Sequence, residues 1–115
     1  MGKLDYNLIE AAKSQVITQA IDYVPNSVVI KTIINKTTGT IRAFSFDTGE
    51  GLNDKISPFD NFIQIIEGNA EIVIDGISSF LTEGQSIIIP AHTSSIVKAN
   101  ERFKMISTII KCGYE

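Results

Sequence analysis

The chain has no tryptophan, one cysteine and one histidine. A lone cysteine, Cys112, excludes a disulfide framework and a cysteine-rich zinc site within the chain. As a nucleophile it would need an activating neighbour, and His92 is the only histidine that could serve. Ser95 lacks a nucleophile elbow, so Ser-His hydrolase chemistry is not supported either. Cationic surface is also scarce: Lys and Arg number 10 against 13 Asp and Glu, for a net charge of −3. Lys98, Arg102 and Lys104 are interleaved with apolar residues and one Glu, and they read as solvated strand faces. Nucleic acid and anionic membrane are therefore not expected as partners. No apolar run reaches membrane-spanning length, and Met1 to Asn7 carries no signal-peptide stretch. The expected compartment is the reduced cytoplasm, which makes the Asn35-Lys36-Thr37 sequon incidental.

What is present is apolar, β-branched and frequently interrupted. The 115 residues are 43% hydrophobic and only 20% charged, with a slightly positive mean hydropathy. That length suits one domain with a real core, spanning 1–115. The apolar surplus predicts a further buried surface, most simply in a homodimer.

Helical pattern is nearly missing. Asn7 to Lys13 predicts a short N-terminal helix, with Asn7 as its cap and Leu8, Ile9, Ala11 and Ala12 on its apolar side. Ser14 to Ala20 reads as a strand centred on Val16 and Ile17. From Ser27 the pattern is β throughout: 27–35, a turn over 36–39, then 40–47. The segment 48–53 holds two glycines and an acid and reads as a loop. Strands are predicted over 62–67, 70–74 and 77–81, with Asp75-Gly76 as a two-residue hairpin turn. Further strands fall at 86–89, ended by Pro90, and at 95–99 and 103–110. Glu50 and Glu67, beside glycines, read as exposed loop residues. Eight to ten short strands without a covering helix indicate an all-β antiparallel sandwich or jelly-roll barrel. Within 62–67, Ile63 and Ile65 share one face, while Phe62, Gln64 and Ile66 share the other.

The stretch 49–99 resembles the cupins, specifically the small single-domain ones built as an RmlC-like double-stranded β-helix. Their first motif runs glycine, five residues, His-x-His, three or four residues, Glu, six residues, glycine. Gly49, Lys55, Ser57, Asn61 and Gly68 fall at those positions, over residues 49–68. The second runs glycine, five residues, Pro-x-Gly, two residues, His, three residues, Asn. Gly84, Pro90, His92, Ser95 and Ala99 fall there, over residues 84–99. The segment around Ser57-Pro58-Phe59-Asp60 is similar to a large group of uncharacterised bacterial cupins, which often carry histidines where Lys55 and Ser95 stand.

The resemblance implies a metal held by three His and one Glu, and this chain departs at all four positions. Lysine is mostly protonated near neutrality, and serine and the asparagine amide are weak neutral donors. No metal or other cofactor is therefore expected. Lys55, Ser57, Asn61 and Ser95 are candidate ligand-binding residues in a barrel pocket, with His92 and Asp60 at its rim. Lys55 could meet a carboxylate or phosphate, or simply pair with Asp54 or Asp60. His92 reads equally as a solvent-facing turn residue, Asp60 as the anchor of the bend after Phe59, and the small polar groups as internally satisfied.

The function expected on this basis is a metal-free small-molecule-binding or sensing cupin. The alternatives are a metal-dependent cupin enzyme (dioxygenase or isomerase) with a rearranged site, and a structural or interaction barrel. An epimerase like the sugar-nucleotide relatives would want a His–Asp pair and a tyrosine inside the barrel. His92 is misplaced for that, and Tyr6, Tyr23 and Tyr114 lie near the termini.

Overall fold

The computed structural model describes residues 10–54 and 56–111. Its strands are β1 (Val28–Lys36), β2 (Gly39–Phe46), β3 (Gly51–Asp54), β4 (Asn61–Gly68), β5 (Ala70–Ile74), β6 (Ile77–Leu81), β7 (Ser86–Ile89), β8 (Ser95–Lys98) and β9 (Phe103–Ile110). They form a five-stranded sheet, ordered β1-β2-β9-β4-β7, and a four-stranded sheet, ordered β3-β8-β5-β6. Every pairing is antiparallel, as the jelly-roll expectation required. Asp75 and Gly76 both take positive φ, 52° and 82°, as the tight hairpin between β5 and β6 demands.

The core is the space between the sheets. Period-two alternation sends Ile63 and Ile65 of β4, Phe44 and Phe46 of β2, and Phe103 and Met105 of β9 into it. Ile72 and Val97 meet them from the other sheet. The Phe46 and Phe103 rings stack at 4.6 Å between centroids, with Phe44 6.1 Å from Phe46. These rings fill the end of the barrel opposite Asn61, because Phe46 pairs with Phe103 and Gly68 closes that end of β4. At Gly68, φ is +79° and a Cβ would meet the Arg102 carbonyl at 2.5 Å, so only glycine fits.

The outer face of the five-stranded sheet carries a second, smaller cluster. Ile21, Ala43 and Ile106 are buried there, with Ile17, Val29, Ile33, Ile41 and Ile66 packed around them. This corrects two expectations. The described part of the predicted N-terminal helix, residues 10–13, is a turn with Ala12 at φ 66°, where Lys13 N–H donates to the Glu10 carbonyl at 3.4 Å. Residues 7–9 lie outside the described residues. A helix of so few residues has no stability of its own unless it docks. The expected strand over 14–20 is instead a 3-10 turn, Ile17–Gln19. Its apolar residues lie on the sheet's outer face rather than pairing at an edge.

A polar clasp holds this segment down. A bulge at Ile66 in β4 shifts the register, so Glu67 comes opposite Lys104 on the outer face. Tyr23 Oη donates to Glu67 Oε2 at 2.6 Å, and Lys104 Nζ donates to the Thr18 carbonyl at 2.6 Å. Lys104 Nζ is 3.7 Å from Glu67, and the Tyr23 ring lies 4.8 Å from Lys104 Nζ and 4.6 Å from the Arg102 guanidinium carbon. Burial and the bond to Glu67 push the Tyr23 hydroxyl well above its ordinary pKa. Lys104 is thus buried and Glu67 half-buried, where unbroken alternation and loop composition predicted solvent.

β3 is also a correction, since its glycine and acidic content read as a loop. It pairs with β8, and a Cβ on Gly51 would meet the Val97 carbonyl at 2.9 Å. The residue that counted against a strand is the one that allows the close approach.

Candidate functional site

The open end of the barrel lies where β2, β4 and β9 bring Arg42, Asn61, Ser107 and Ile109 together. Register explains the grouping. Arg42 pairs with Ser107, Phe44 with Met105, and Asn61 with Ile109. Each shares the inward face of its strand with residues already placed in the core. With Leu52 of β3 and Ser57 of the following loop, they line a partly enclosed cavity of about 150 Å³.

Two of the residues singled out from the sequence meet here. Ser107 Oγ donates to Asn61 Oδ1 at 2.7 Å. That bond occupies the amide oxygen and leaves Asn61 Nδ2 without an acceptor among the described residues. Ser57 Oγ accepts the Phe59 N–H at 3.0 Å, which forms the bend before Asp60. The Ser57 hydroxyl hydrogen is left to donate.

The others stand nearby in different roles. Ser95, buried at the start of β8, shares its face with Val97. It is engaged in a contact of its own and does not line the cavity. Asp60 Oδ1 accepts the Ala91 N–H at 2.8 Å, and the His92 N–H donates to the Ser57 carbonyl at 2.7 Å. Together these bonds fasten the β7–β8 turn to the loop before β4. His92 itself is exposed, with φ 62°. It therefore keeps the left-handed backbone of the glycine that the motif places at that position. Lys55 and Cys112 lie outside the described residues.

These groups do not fit a transition metal. Ser57, Asn61 and Ser95 are neutral donors, the asparagine oxygen already accepts a hydrogen bond, and Ser95 has a partner of its own. Among the described residues no three His, Cys, Asp or Glu side chains gather where they could hold an ion.

Arg42 and Ser107 were not singled out from the sequence, although the signal was there. Arg42 stands two and four residues before Phe44 and Phe46, and Ser107 two and four after Met105 and Phe103. A polar residue in phase with such core positions faces the same interior. Elsewhere, Asp47 is held below the usual carboxylate range by the Asn26 N–H at 2.7 Å and then by Arg102 at 2.9 Å. Glu71 is lowered by hydrogen bonds from Asn100 and Ser78.

No protein-family model and no curated protein matches this chain. Solved structures do. A conserved protein of unknown function from Streptococcus pyogenes is 30% identical, with a TM-score of 0.88 over 99% of this chain and 100% of that one. A cupin superfamily protein from Desulfitobacterium hafniense is 22% identical, with a TM-score of 0.86 over 92% of this chain and 97% of that one. A cupin 2 conserved barrel domain protein from Leptotrichia buccalis is 25% identical, with a TM-score of 0.79 over 82% of this chain and 46% of that one.

Proposed function

Because the chain belongs to the cupins, we propose that it is a metal-free small-molecule-binding or sensing protein whose ligand enters the open end of the barrel. One observation carries this reading: a cavity of about 150 Å³ between the sheets, with Arg42, Ser57, Asn61 and Ser107 on apolar walls. Convergent polar groups in an apolar concavity are the general form of a small-ligand site. The volume also bounds the ligand. Drug-sized sites run to roughly 300–1,000 Å³, and a sugar nucleotide would not fit within the described walls. A filled interior would favour the scaffold alternative, and a metal-dependent dioxygenase or isomerase would need donors that Ser57, Asn61 and Ser95 do not supply.

We further propose a homodimer. Phe62, Ile88, Ile110 and Ile34 are exposed on or beside the outer face of the five-stranded sheet, beyond the cover given by Ile17 and Ile21. The single cysteine and the absence of a basic patch support a cytoplasmic protein without a nucleic-acid partner. No helix among the described residues is long and apolar enough to cross a membrane.

Native mass spectrometry of gently purified full-length chain tests these statements together. The expected spectrum is a dimer with a small organic molecule on part of the population and no stoichiometric transition metal. A metal retained at one ion per chain would replace this reading with the metalloenzyme one.

A further inference from the structure

Among the described residues, the cavity is lined by hydrogen-bond donors and a cation, with no carboxylate to answer them. Arg42 is half-buried on the inward face of β2 and lines the cavity. The ion pairs among the described residues lie elsewhere: Lys13 with Glu10, Arg102 with Asp47, and Lys104 with Glu67. The Arg42 guanidinium makes no hydrogen bond or ion pair with any described residue. Asn61 has given its oxygen to Ser107, so what it can still offer is its NH2. Ser57 Oγ already accepts from Phe59 N–H, so it can still offer its hydroxyl hydrogen. A planar fork with five N–H donors, an amide NH2 and a hydroxyl call for an acceptor-only group carrying negative charge.

We propose that this cavity is a carboxylate site, in which Arg42 takes both oxygens of a small monocarboxylate, Asn61 and Ser57 donate to them, and Phe44, Leu52, Met105 and Ile109 enclose a short apolar body. The inference rests on reading the cavity as a binding site and adds the chemistry of its ligand. A carboxylate fits better than a phosphate for two reasons. The guanidinium edge matches two coplanar oxygens, and the one cation among the described lining residues does not on apolar walls replace the hydration of a dianion. An apolar cavity of about 150 Å³ takes a benzene-sized body, which sets the size of the acid.

The test is an NMR titration of the full-length chain with four probes of matched size or charge: benzoate, benzyl alcohol, benzylamine and inorganic phosphate. Benzoate is expected to bind at one per chain, at least about tenfold tighter than benzyl alcohol, with benzylamine not binding. Arg42→Met is expected to reduce benzoate affinity to that of benzyl alcohol. Arg42→Lys, which keeps the charge but loses the fork, is expected to recover only part of it. The comparison among probes on the unaltered chain stands even if a variant fails to fold. Equal binding of benzoate and benzyl alcohol would overturn the carboxylate assignment and leave the cavity as a binding site. Tighter binding of phosphate than of benzoate would also overturn it. No binding of any probe would overturn both readings.

Discussion

Replacing Lys104 by methionine is expected to lower stability by about 2 kcal/mol, because the ammonium holds the N-terminal segment to the outer face of the barrel. Its Nζ donates at 2.6 Å to the Thr18 carbonyl, a charged hydrogen bond of a kind worth about 1.5–3 kcal/mol. At 3.7 Å its attraction to Glu67 is about 4 kcal/mol gross, taking an effective dielectric near 20. Two effects cut that figure. The Glu67 side chain is 39% exposed and so screened, and the Lys104 side chain, only 8% exposed, costs several kcal/mol to desolvate. Methionine keeps the stem's packing and removes the desolvation cost. What remains is the lost bond to Thr18, set against an apolar gain. For a chain this size, ~2 kcal/mol lowers the thermal midpoint by roughly 8 °C. Urea unfolding of Lys104→Met, Tyr23→Phe and the double variant provides the assay. Lys104 and Tyr23 meet at 4.8 Å and share Glu67, so their effects should be coupled by about 0.5–1 kcal/mol. An unchanged or raised midpoint for Lys104→Met would refute this reasoning. It would mean that Ile17 and Ile21 hold the segment through apolar contacts alone.

Three further outcomes are expected. Gly68→Ala should cost about 3 kcal/mol by urea denaturation, since φ +79° and a 2.5 Å approach to the Arg102 carbonyl cannot both be relieved. His92→Gly should be neutral or stabilising by up to about 1 kcal/mol, since it removes a side chain from a left-handed position at an exposed turn but frees the unfolded chain; a clear loss would point to a contact of the imidazole. Stability should respond to pH at both ends. The depressed carboxyls of Asp47 and Glu71 contribute above their unfolded values, so stability falls as pH drops through and below about 4, and Asp47→Asn should flatten that slope. The raised Tyr23 hydroxyl works in the opposite sense. Its contribution is complete below pH about 10 and declines above it, which a difference titration against Tyr23→Phe would register.

Much of the barrel was legible because its strands follow one rule. Ile63 and Ile65 point inward, Phe62 outward, and Asp75-Gly76 turns with both φ values positive, as alternation and turn chemistry required. Reasoning failed where tertiary contacts override local pattern. The Ile66 bulge carries Glu67 to the opposite face and so gives Lys104 a partner, yet nothing in the local sequence marks it. Gly51 weakened the case for β3 only until its close approach to Val97 is seen. Residues 14–20 looked like a strand because the apolar content at Val16 and Ile17 is real, but the segment holds a 3-10 turn and Ile17 covers a sheet face instead of extending an edge.

At the site, the motif spacing located Ser57 and Asn61 at one cavity, since fixed turns place them at successive points of a single loop and strand. Spacing did not separate a cavity residue from a scaffold residue. Asp60 and the His92 backbone lock two loops together, which depends on a pairing across the molecule. Arg42 lies outside both motifs, so motif spacing passed over the one cation that lines the pocket among the described residues, although its phase with Phe44 and Phe46 placed it there.

The central claim is that the open end of this barrel is a ligand cavity. It is tested most directly by mapping backbone amide shifts of the full-length chain during the benzoate titration. Saturable shifts are expected to gather at Arg42, Phe44, Leu52, Ser57, Asn61, Met105, Ser107 and Ile109. Shifts confined to the outer face around Phe62, Ile88 and Ile110, or no saturable shifts at all, would contradict it.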